Sequence, residues 1–237
     1  MHPYSIFISR IRLHSAEPTA SDPGASAASS VAIARAISEE FKLNLSDKRI
    51  NEIAYEGEKA YAGNPSGIDN TAATFGGLMW FQKNTSGGTD NIEKLNIKKP
   101  VEIIMGSTGK VANTQAMVEG VAERKKKNPQ KYDPLFKRVQ ELALEGRKAL
   151  EAYDLKKVGE LMNENHTLLQ GIEVSSKELD LLVDIARKQG AFGAKLTGGG
   201  GCMTALTPGK ALQEKVAKAI ADQGFEVLRT KIGVQKH

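Results

Sequence analysis

The sequence predicts an α+β protein, chiefly from the order of its elements after residue 100. From there the chain reads as a short apolar strand, several helical patterns, two further strands, one helix and a last strand. That is the order of a split βαβ sheet, as in ferredoxin-like domains, with extra helices. Before residue 99, two helical patterns precede a turn-rich stretch and a strand-like run. We therefore expect two domains, 1–99 and 100–237.

The first part contains a strand, two helices and a second strand. Residues 5–13 mix alternation with β-branched side chains, which is typical of a strand. Helices are predicted at about 25–43 and at 47–62, where Ser46 is a suitable N-cap, and a strand is predicted at 77–82. The positions expected to face the core are Ile33, Ile37, Phe41, Ile50, Ile53, Ala54 and Gly57.

The second part contains the split sheet. A buried strand is expected at 101–105, with Gly106 as its end. A later helix is expected to start after Asp133, with Pro134 in its first turn. Gly190 is expected to cap the C-terminus of a helix. The remaining helices are predicted at about 113–127, 155–170, 175–189 and 209–223, and the remaining strands at 194–197, 202–206 and 224–228.

Composition excludes several classes of protein. The chain has 237 residues, of which 40% are hydrophobic and 26% charged, so it can bury a sizeable core. No apolar run approaches a membrane span, and the N-terminal apolar stretch is interrupted by Arg10 and Arg12, unlike a signal peptide. The single cysteine, Cys202, permits no internal disulfide and suits a reducing compartment. We therefore expect a cytoplasmic protein.

The net charge of +5 is compatible with nucleic acid, a membrane surface or an anionic metabolite as partner. The densest basic run, 124–127, falls at a predicted helix end, where cations favour the helix dipole. No aromatic platform or recognition motif accompanies it, so neither nucleic acid nor membrane binding is expected. The four histidines lack the spacing of zinc ligands, and His166 is expected to pack in a helix or lie on the surface.

The stretch 63–70, with the sequence GNPSGIDN, combines glycines, a proline, amides and one carboxylate. This is turn chemistry between a helix and a strand. A single acid held at such a junction and partly kept from water is suited to act as a general base. The alternative is a helix-to-strand loop in which Asp69 only caps the following turn.

Two further stretches are suited to phosphate. Residues 22–27, DPGASA, open a predicted helix, and the backbone N–H groups at a helix start bind phosphate when small residues let it approach. The alternative is a plain N-cap by Asp22, with Pro23 as the first helical residue. The glycine run 198–201 joins two short strands and would let backbone pass close to a ligand, or it forms a tight hairpin.

The stretch NPSGIDN, at 64–70, followed by TAATFGG, at 71–77, resembles the signature of the mevalonate kinases. These belong to the GHMP kinase superfamily, which also holds galactokinase, homoserine kinase and phosphomevalonate kinase. The resemblance covers the chain from about Gly24 to the C-terminus. It implies a two-domain GHMP-kinase-like fold and ATP-dependent phosphorylation of mevalonate, a step in isoprenoid precursor synthesis. A homodimer is left open.

The resemblance also assigns roles to individual residues. It implies that Asp69 is the catalytic base facing the substrate hydroxyl. It places Mg²⁺ on Ser26 and Glu58, although Glu58, like Glu56, also reads as a solvated helix glutamate. The residues implied near the nucleotide are Gly24, Ser26, Ala27, Gly198, Gly199 and Gly200, and those implied near the substrate are Lys110 and Thr114.

The chain departs from the pattern of the mevalonate kinases at three places. Asp22 stands where a glycine is expected and would repel a triphosphate, and Ala25 replaces a serine. The glycine loop is about two residues shorter than usual. The N-terminal motif of the form P-G-K-x-x-L-x-G-E-H, with its lysine, is not found in this sequence, so a truncated N-terminal domain is expected. Two alternatives follow: another GHMP small-molecule kinase, or a catalytically dead fragment.

Overall fold

Eight helices and six strands are formed by the residues that the computed structural model describes, which are 24–62, 65–82, 84, 90–110, 113–198 and 200–233. The strand predicted at 5–13 lies outside these residues. The elements before residue 100 are α1 (Ala25–Glu40), α2 (Asp47–Ala62), α3 (Ile68–Phe75), β1 (Leu78–Gln82) and β2 (Asn91–Leu95). The later elements are β3 (Val101–Ser107), α4 (Thr114–Lys127), α5 (Pro129–Ala152), α6 (Leu155–Gly171), α7 (Lys177–Lys188), β4 (Gly193–Thr197), β5 (Cys202–Leu206), α8 (Lys210–Ala221) and β6 (Glu226–Ile232).

Helix α1 packs on α2 and α3 through small side chains. Its buried positions are Ala27, Val31 and Ala34, each at most 4% exposed. The predicted stripe of α1 is therefore wrong: Ile33 and Ile37 are only half-buried and Phe41 is 49% exposed. On α2, Ile50 and Ala54 are buried as predicted, whereas Ile53 is 37% exposed. The alanine face is buried instead, because small side chains let the helices approach closely: a Cβ at Gly57 would lie 2.7 Å from the Oγ of Ser30.

The stretch predicted as a helix-to-strand loop is the beginning of a helix. Helix α3 starts at Ile68, directly after Gly67, which adopts a left-handed conformation with φ +88°. The prediction of a loop at 68–70 is therefore wrong. Glycines and amides are turn residues, but here Gly67 only reverses the chain before a short helix. A two-stranded antiparallel hairpin, β1 with β2, follows, and β2 has no counterpart in the sequence-based prediction.

The hairpin is joined to the second part of the chain through Arg147 on α5. The Arg147 guanidinium lies 2.6 Å from the Glu93 carboxylate on β2 and 5.3 Å from the ring centre of Trp80 on β1. Leu78 and Ile97 extend this contact into an apolar cluster that includes Val101 and Leu142. The hairpin therefore rests on helix α5.

The second part forms a four-stranded sheet in the order β4-β5-β3-β6, with all neighbours antiparallel. This confirms the split βαβ sheet. Two strands are longer than predicted: β3 passes through Gly106, which pairs with both Met203 and Val227, and β6 continues to Ile232. A glycine inside a strand need not end it when neighbours on both sides supply hydrogen bonds. Helix α5 starts earlier than predicted, because Asn128 caps it and Pro129 occupies its first position, so Pro134 lies inside the helix.

Helices cover the two faces of this sheet. Helices α7 and α8 pack on one face, in a cluster that includes Ile104, Leu182 and Val216, all 0% exposed. Helices α5 and α6 pack on part of the other face around Leu161 and Leu206. None of the helices within the described residues has the length and apolar character needed to cross a bilayer.

Candidate active site

Asp69 lies in the first turn of α3 and is exposed to solvent. Within the described residues its carboxylate makes no hydrogen bond or ion pair, so the helix alone sets its direction. Gly67, the N-cap residue, provides no side-chain cap. The N-terminal end of a helix dipole favours a carboxylate at this position. Asp69 is therefore an ionisable group available to a ligand rather than a capping residue.

The start of α1 faces this carboxylate. A Cβ atom built on Gly24 would lie 4.0 Å from both Cβ and Oδ1 of Asp69. Gly24 is the N-cap residue of α1, with φ +81° and no side-chain cap. The alternative in which Asp22 is the N-cap residue is therefore wrong. Asp22 itself lies outside the described residues. Within the described residues the first N–H groups of α1 carry no side-chain cap, and with Ala27 buried they are suited to an anion.

Glu58 is buried on α2, at 6% exposure, and its Oε1 has no hydrogen-bond partner within the described residues. The reading of Glu58 as a solvated glutamate is therefore wrong. That reading holds for Glu56, which is exposed and pairs with Lys59 at 2.8 Å. A buried carboxylate oxygen that accepts no hydrogen bond raises the free energy of the folded state, unless a cation binds to it.

The α1–α2 contact shows which part of α1 packs beside Glu58. Gly57, next to Glu58, packs on Ser30 of α1, and Ser26 lies one turn before Ser30 and is half-buried. One carboxylate and one hydroxyl, with phosphate oxygens and waters, form an oxygen donor set that Mg²⁺ accepts. The residues present therefore fit a magnesium ion.

Helix α3 is held by partners that sequence patterns did not reveal. Arg35 of α1 donates to the carbonyl oxygen of Thr74 at 2.8 Å, and also to Asp47 at 2.8 Å. The Tyr55 hydroxyl donates to the carbonyl oxygen of Pro65 at 3.4 Å. A polar network also joins α3 to α2; its members are Asn51, Asn70, Thr71 and Thr74. Hydrophobic periodicity carries no signal for buried amides and hydroxyls.

The glycine loop between β4 and β5 is a hairpin connection, as the alternative reading has it, and it also contacts the chain that follows β3. The Gly201 carbonyl oxygen accepts from Thr108 N at 3.0 Å and from its hydroxyl at 2.9 Å. A Cβ at Gly201 would lie 2.9 Å from the Lys110 carbonyl oxygen, and one at Gly200, with φ +98°, would overlap Met117. Gly201 is therefore needed for the close approach of two backbones, and Gly200 for its positive φ. Gly198 begins the loop with φ +63°, and Gly199 lies outside the described residues.

Lys110 lies beside this loop and is exposed. Its ammonium group is 2.6 Å from the Glu178 carboxylate, and the hydrogen bond from Lys110 lowers the pKa of Glu178 to about 2. Thr114 is the first residue of α4, directly after the N-cap Asn113. The predicted site residues thus form two groups. Gly24, Ser26, Ala27, Glu58 and Asp69 lie on the first three helices, and Lys110 lies with the glycine loop at the end of the four-stranded sheet.

Comparison with known proteins gives two family matches. Residues 5–77 match the family described as GHMP kinases N terminal domain, and residues 147–226 match the family described as GHMP kinases C terminal. The chain is similar to the mevalonate kinase of Thermococcus sibiricus, with 36% identity over 222 residues, which are 91% of this chain and 64% of that relative. It is 33% identical over 200 residues to the mevalonate kinase of Mus musculus, covering 78% of this chain and 48% of that relative. The chain therefore spans less than two thirds of the length of these relatives.

Solved structures give a similar result. The crystal structure of L. major mevalonate kinase in complex with R-mevalonate matches with a TM-score of 0.83 and 34% identity, over 88% of this chain and 65% of that chain. Streptococcus pneumoniae phosphomevalonate kinase in complex with phosphomevalonate and AMPPNP matches with a TM-score of 0.71 and 19% identity, over 85% and 66% of the two chains. The second likeness concerns the fold alone.

Proposed function

This chain belongs to the GHMP kinases, and we propose that it transfers a phosphoryl group from ATP to the primary hydroxyl of mevalonate. The observation that carries the proposal is the approach of Gly24 to Asp69. It brings an uncapped helix start, suited to phosphate, next to an acid that is free to take a proton. Phosphoryl transfer to an alcohol depends on groups that hold the phosphates and on a residue that orients or deprotonates the hydroxyl.

Mevalonate is the proposed alcohol because of the relatives. Those with 36% identity are mevalonate kinases, and a solved relative with 34% identity is a mevalonate kinase that holds R-mevalonate. Other GHMP kinases, such as phosphomevalonate kinase, resemble the chain at lower identity. The substrate assignment therefore rests on sequence similarity, whereas the reaction class rests on the site.

The residues of the chain divide the proposed reaction between them. Asp69 takes the proton from the substrate hydroxyl, or orients it, as the hydroxyl oxygen attacks the terminal phosphorus. The first N–H groups of α1, after Gly24, hold the phosphates. Ser26 and Glu58 hold Mg²⁺, which when bound neutralises charge on the phosphates. The absence of side chains at Gly24 keeps this space open.

We also propose that the two groups of site residues belong to two domains that meet near residue 99. The hairpin β1–β2 and the sheet that begins with Val101 are separate sheets, which supports this division. Lys110, Thr114 and Gly198–Gly200 then belong to the second domain and serve the substrate and the nucleotide. Lys110 is exposed, so it can leave Glu178 for an anionic ligand.

The test is a substrate panel with the full chain. Mg-ATP is mixed with mevalonate, phosphomevalonate, homoserine or galactose, and products are identified by phosphorus NMR. We expect 5-phosphomevalonate to form and the other three alcohols to react much more slowly. The same preparation carrying Asp69→Asn controls for a contaminating kinase. If another alcohol is phosphorylated faster, that alcohol and not mevalonate is the substrate. Binding of mevalonate and Mg-ATP without turnover would overturn the proposed activity.

A further inference from the structure

We propose that Asn51 on α2 is a positioning residue for Asp69, and that it acts through the side-chain amide that holds helix α3. The inference deepens the phosphoryl transfer proposed above and rests on it. Asn51 lies on a different helix from Asp69 and is half-buried. Its role is to fix the helix on which the proposed base stands.

One side chain of α2 contacts three residues of α3. Asn51 Oδ1 accepts from Asn70 Nδ2 at 2.8 Å, and Asn51 Nδ2 donates to the Thr71 hydroxyl at 3.4 Å. The Thr74 hydroxyl also lies 3.4 Å from Asn51 Oδ1. The backbone carbonyl of Asn51 accepts from the same Asn70 amide at 3.3 Å.

The hydroxyl groups of α3 determine which way the Asn51 amide is oriented. The Thr71 hydroxyl donates to the Gly67 carbonyl at 2.6 Å, and the Thr74 hydroxyl donates to the Asn70 carbonyl at 2.7 Å. Because each hydroxyl has only one proton, Thr71 can only accept from Asn51. The position therefore requires one donor and one acceptor on the same short side chain, which an asparagine supplies.

Water cannot replace these bonds, since their partners are buried. Asn70, Thr71 and Thr74 are 2%, 2% and 5% exposed. Asn51 supplies both acceptors of the Asn70 side-chain N–H groups. Asn70 Oδ1 has no partner within the described residues, so the side chain of Asn70 is held through these bonds. A buried polar group that loses its partner is costly, and the helix would shift to recover it.

The position of Asp69 depends on this network because the other bonds that α1 and α2 make to this segment lie outside the first turn of α3: Arg35 bonds to the carbonyl of Thr74 and Tyr55 to that of Pro65. The Asp69 carboxylate makes no hydrogen bond or ion pair within the described residues, and the N-cap Gly67 has no side chain. The two residues that follow Asp69 in the chain, Asn70 and Thr71, are both held by Asn51. Removing the Asn51 amide therefore releases the first turn of α3, which carries Asp69, the residue proposed to contact the substrate hydroxyl.

The test compares two variants of neighbouring residues on α2. Asn51→Leu keeps the approximate size and removes the amide, and Ile50→Val is the matched control, because Ile50 is 2% exposed and packs in the apolar cluster of these helices. Two quantities are measured in the full chain: kcat and KM for mevalonate phosphorylation, and the carboxyl carbon resonance of Asp69 in protein labelled with ¹³C-aspartate. The resonance is assigned by its loss in Asp69→Asn.

We expect Asn51→Leu to lower kcat by about tenfold or more, since small misplacements of a reacting group have large effects on rate, and to leave KM for Mg-ATP within about twofold. We expect the Asp69 resonance to move in this variant and to stay in place in Ile50→Val. Equal loss of kcat in both variants at similar melting temperature, or an unmoved resonance, would overturn the role of Asn51.

If Asn51→Leu does not fold, Asn51→Asp serves instead, because it keeps the acceptor for Asn70 and loses the donor to Thr71; the same shifts are expected. If the unmodified chain shows no turnover, the proposed function fails, and the Asp69 resonance alone decides whether Asn51 positions this carboxylate.

Discussion

Gly24 and Asp69 face each other across the space between two helix starts: a Cβ atom built on Gly24 would lie 4.0 Å from both Cβ and Oδ1 of Asp69. Gly24 ends the approach to α1 and Asp69 stands in the first turn of α3. Both helix starts lack a side-chain cap from their N-cap residue, which is glycine in each case. An anion between them would meet uncapped N–H groups on one side and a carboxylate on the other.

Asp69→Asn is expected to lower the rate of phosphoryl transfer by about 10²–10⁴-fold, the usual contribution of a general base. The side chain is exposed and makes no ion pair within the described residues, so the fold should persist, with a loss of at most about 1 kcal/mol from the helix-dipole contribution. Steady-state kinetics with mevalonate and a thermal melt measure the two effects. Near-full activity in Asp69→Asn would show that this carboxylate is not the catalytic base.

Glu58→Gln is expected to weaken Mg-ATP binding by about tenfold or more, because it removes the buried charge that fits Mg²⁺. Without metal the same change should not destabilise the protein, because glutamine keeps the size of the side chain and removes a carboxylate that is buried without a partner for its Oε1 within the described residues. Glu56→Gln is the matched control, since Glu56 is exposed and its pair with Lys59 contributes little. Calorimetric titration measures the affinity for Mg-ATP, and denaturant unfolding in EDTA measures the stability without metal. A large loss of stability in Glu58→Gln without metal would mean that this carboxylate is structural.

Gly159→Ala is expected to destabilise the protein by about 3 kcal/mol or more. Helix α6 crosses the start of β4 so closely that a Cβ at Gly159 would overlap the carbonyl group of Phe192. Backbone cannot move aside as a side chain can, so overpacking must separate the helix from the strand.

Gly146→Ala on α5 is the control for this substitution. A Cβ there has nothing within 4 Å, and alanine favours a helix over glycine by about 0.5–1 kcal/mol. We therefore expect the two glycine-to-alanine changes to have opposite signs in urea unfolding. A similar, small effect in both would mean that α6 and β4 are less closely packed than described.

His166 is expected to make stability depend on pH. It is 2% exposed, its Nδ1 accepts from Leu196 N at 3.3 Å, and its Nε2 lies 3.1 Å from Asp180 Oδ1. Burial is the main reason that the pKa of His166 lies below its ordinary value of 6.5. The positive charges of Arg187 and Lys195 lower this pKa further, whereas Asp180 opposes the shift.

The sign of this dependence follows from the direction of the shift. The unfolded chain takes up the proton near pH 6.5, whereas the folded chain takes it up only at lower pH. The stabilisation is therefore complete above pH 6.5 and decreases as the pH falls from 6.5 towards the folded pKa, by at most about 1.4 kcal/mol per pH unit. Unfolding at pH 7.5, 6.0 and 5.0 measures the slope, and His166→Gln isolates the contribution of this residue. An identical slope in the variant would contradict it.

Much of the second half could be predicted from the sequence, because its signals are local. Helices α6 and α7 and strands β4 and β5 lie within two residues of their predicted bounds, since amphipathic spacing, caps and apolar runs are properties of neighbouring residues. Their order along the chain indicated the split βαβ sheet, and the arrangement of strands confirms it. The resemblance of residues 64–77 to one family of kinases could also be recognised from the sequence alone.

The first half shows what local signals cannot decide. The isoleucines of α1 form a stripe, yet its alanine face is buried, because close approach of α2 and α3 depends on residues far along the chain. Strand β2 pairs with β1, and β3 extends past Gly106, because of partners that no local pattern contains.

By itself, the sequence determined the fold class, the order of the elements in the second half and the identity of Asp69 as the candidate base. Only the tertiary structure decided that Asp69 stands on a helix, that Gly24 faces it, that Glu58 is buried and that Asn51 bonds to α3. The physical reason is distance along the chain: periodicity and capping act over a few residues, whereas burial and polar networks depend on which distant helices come into contact.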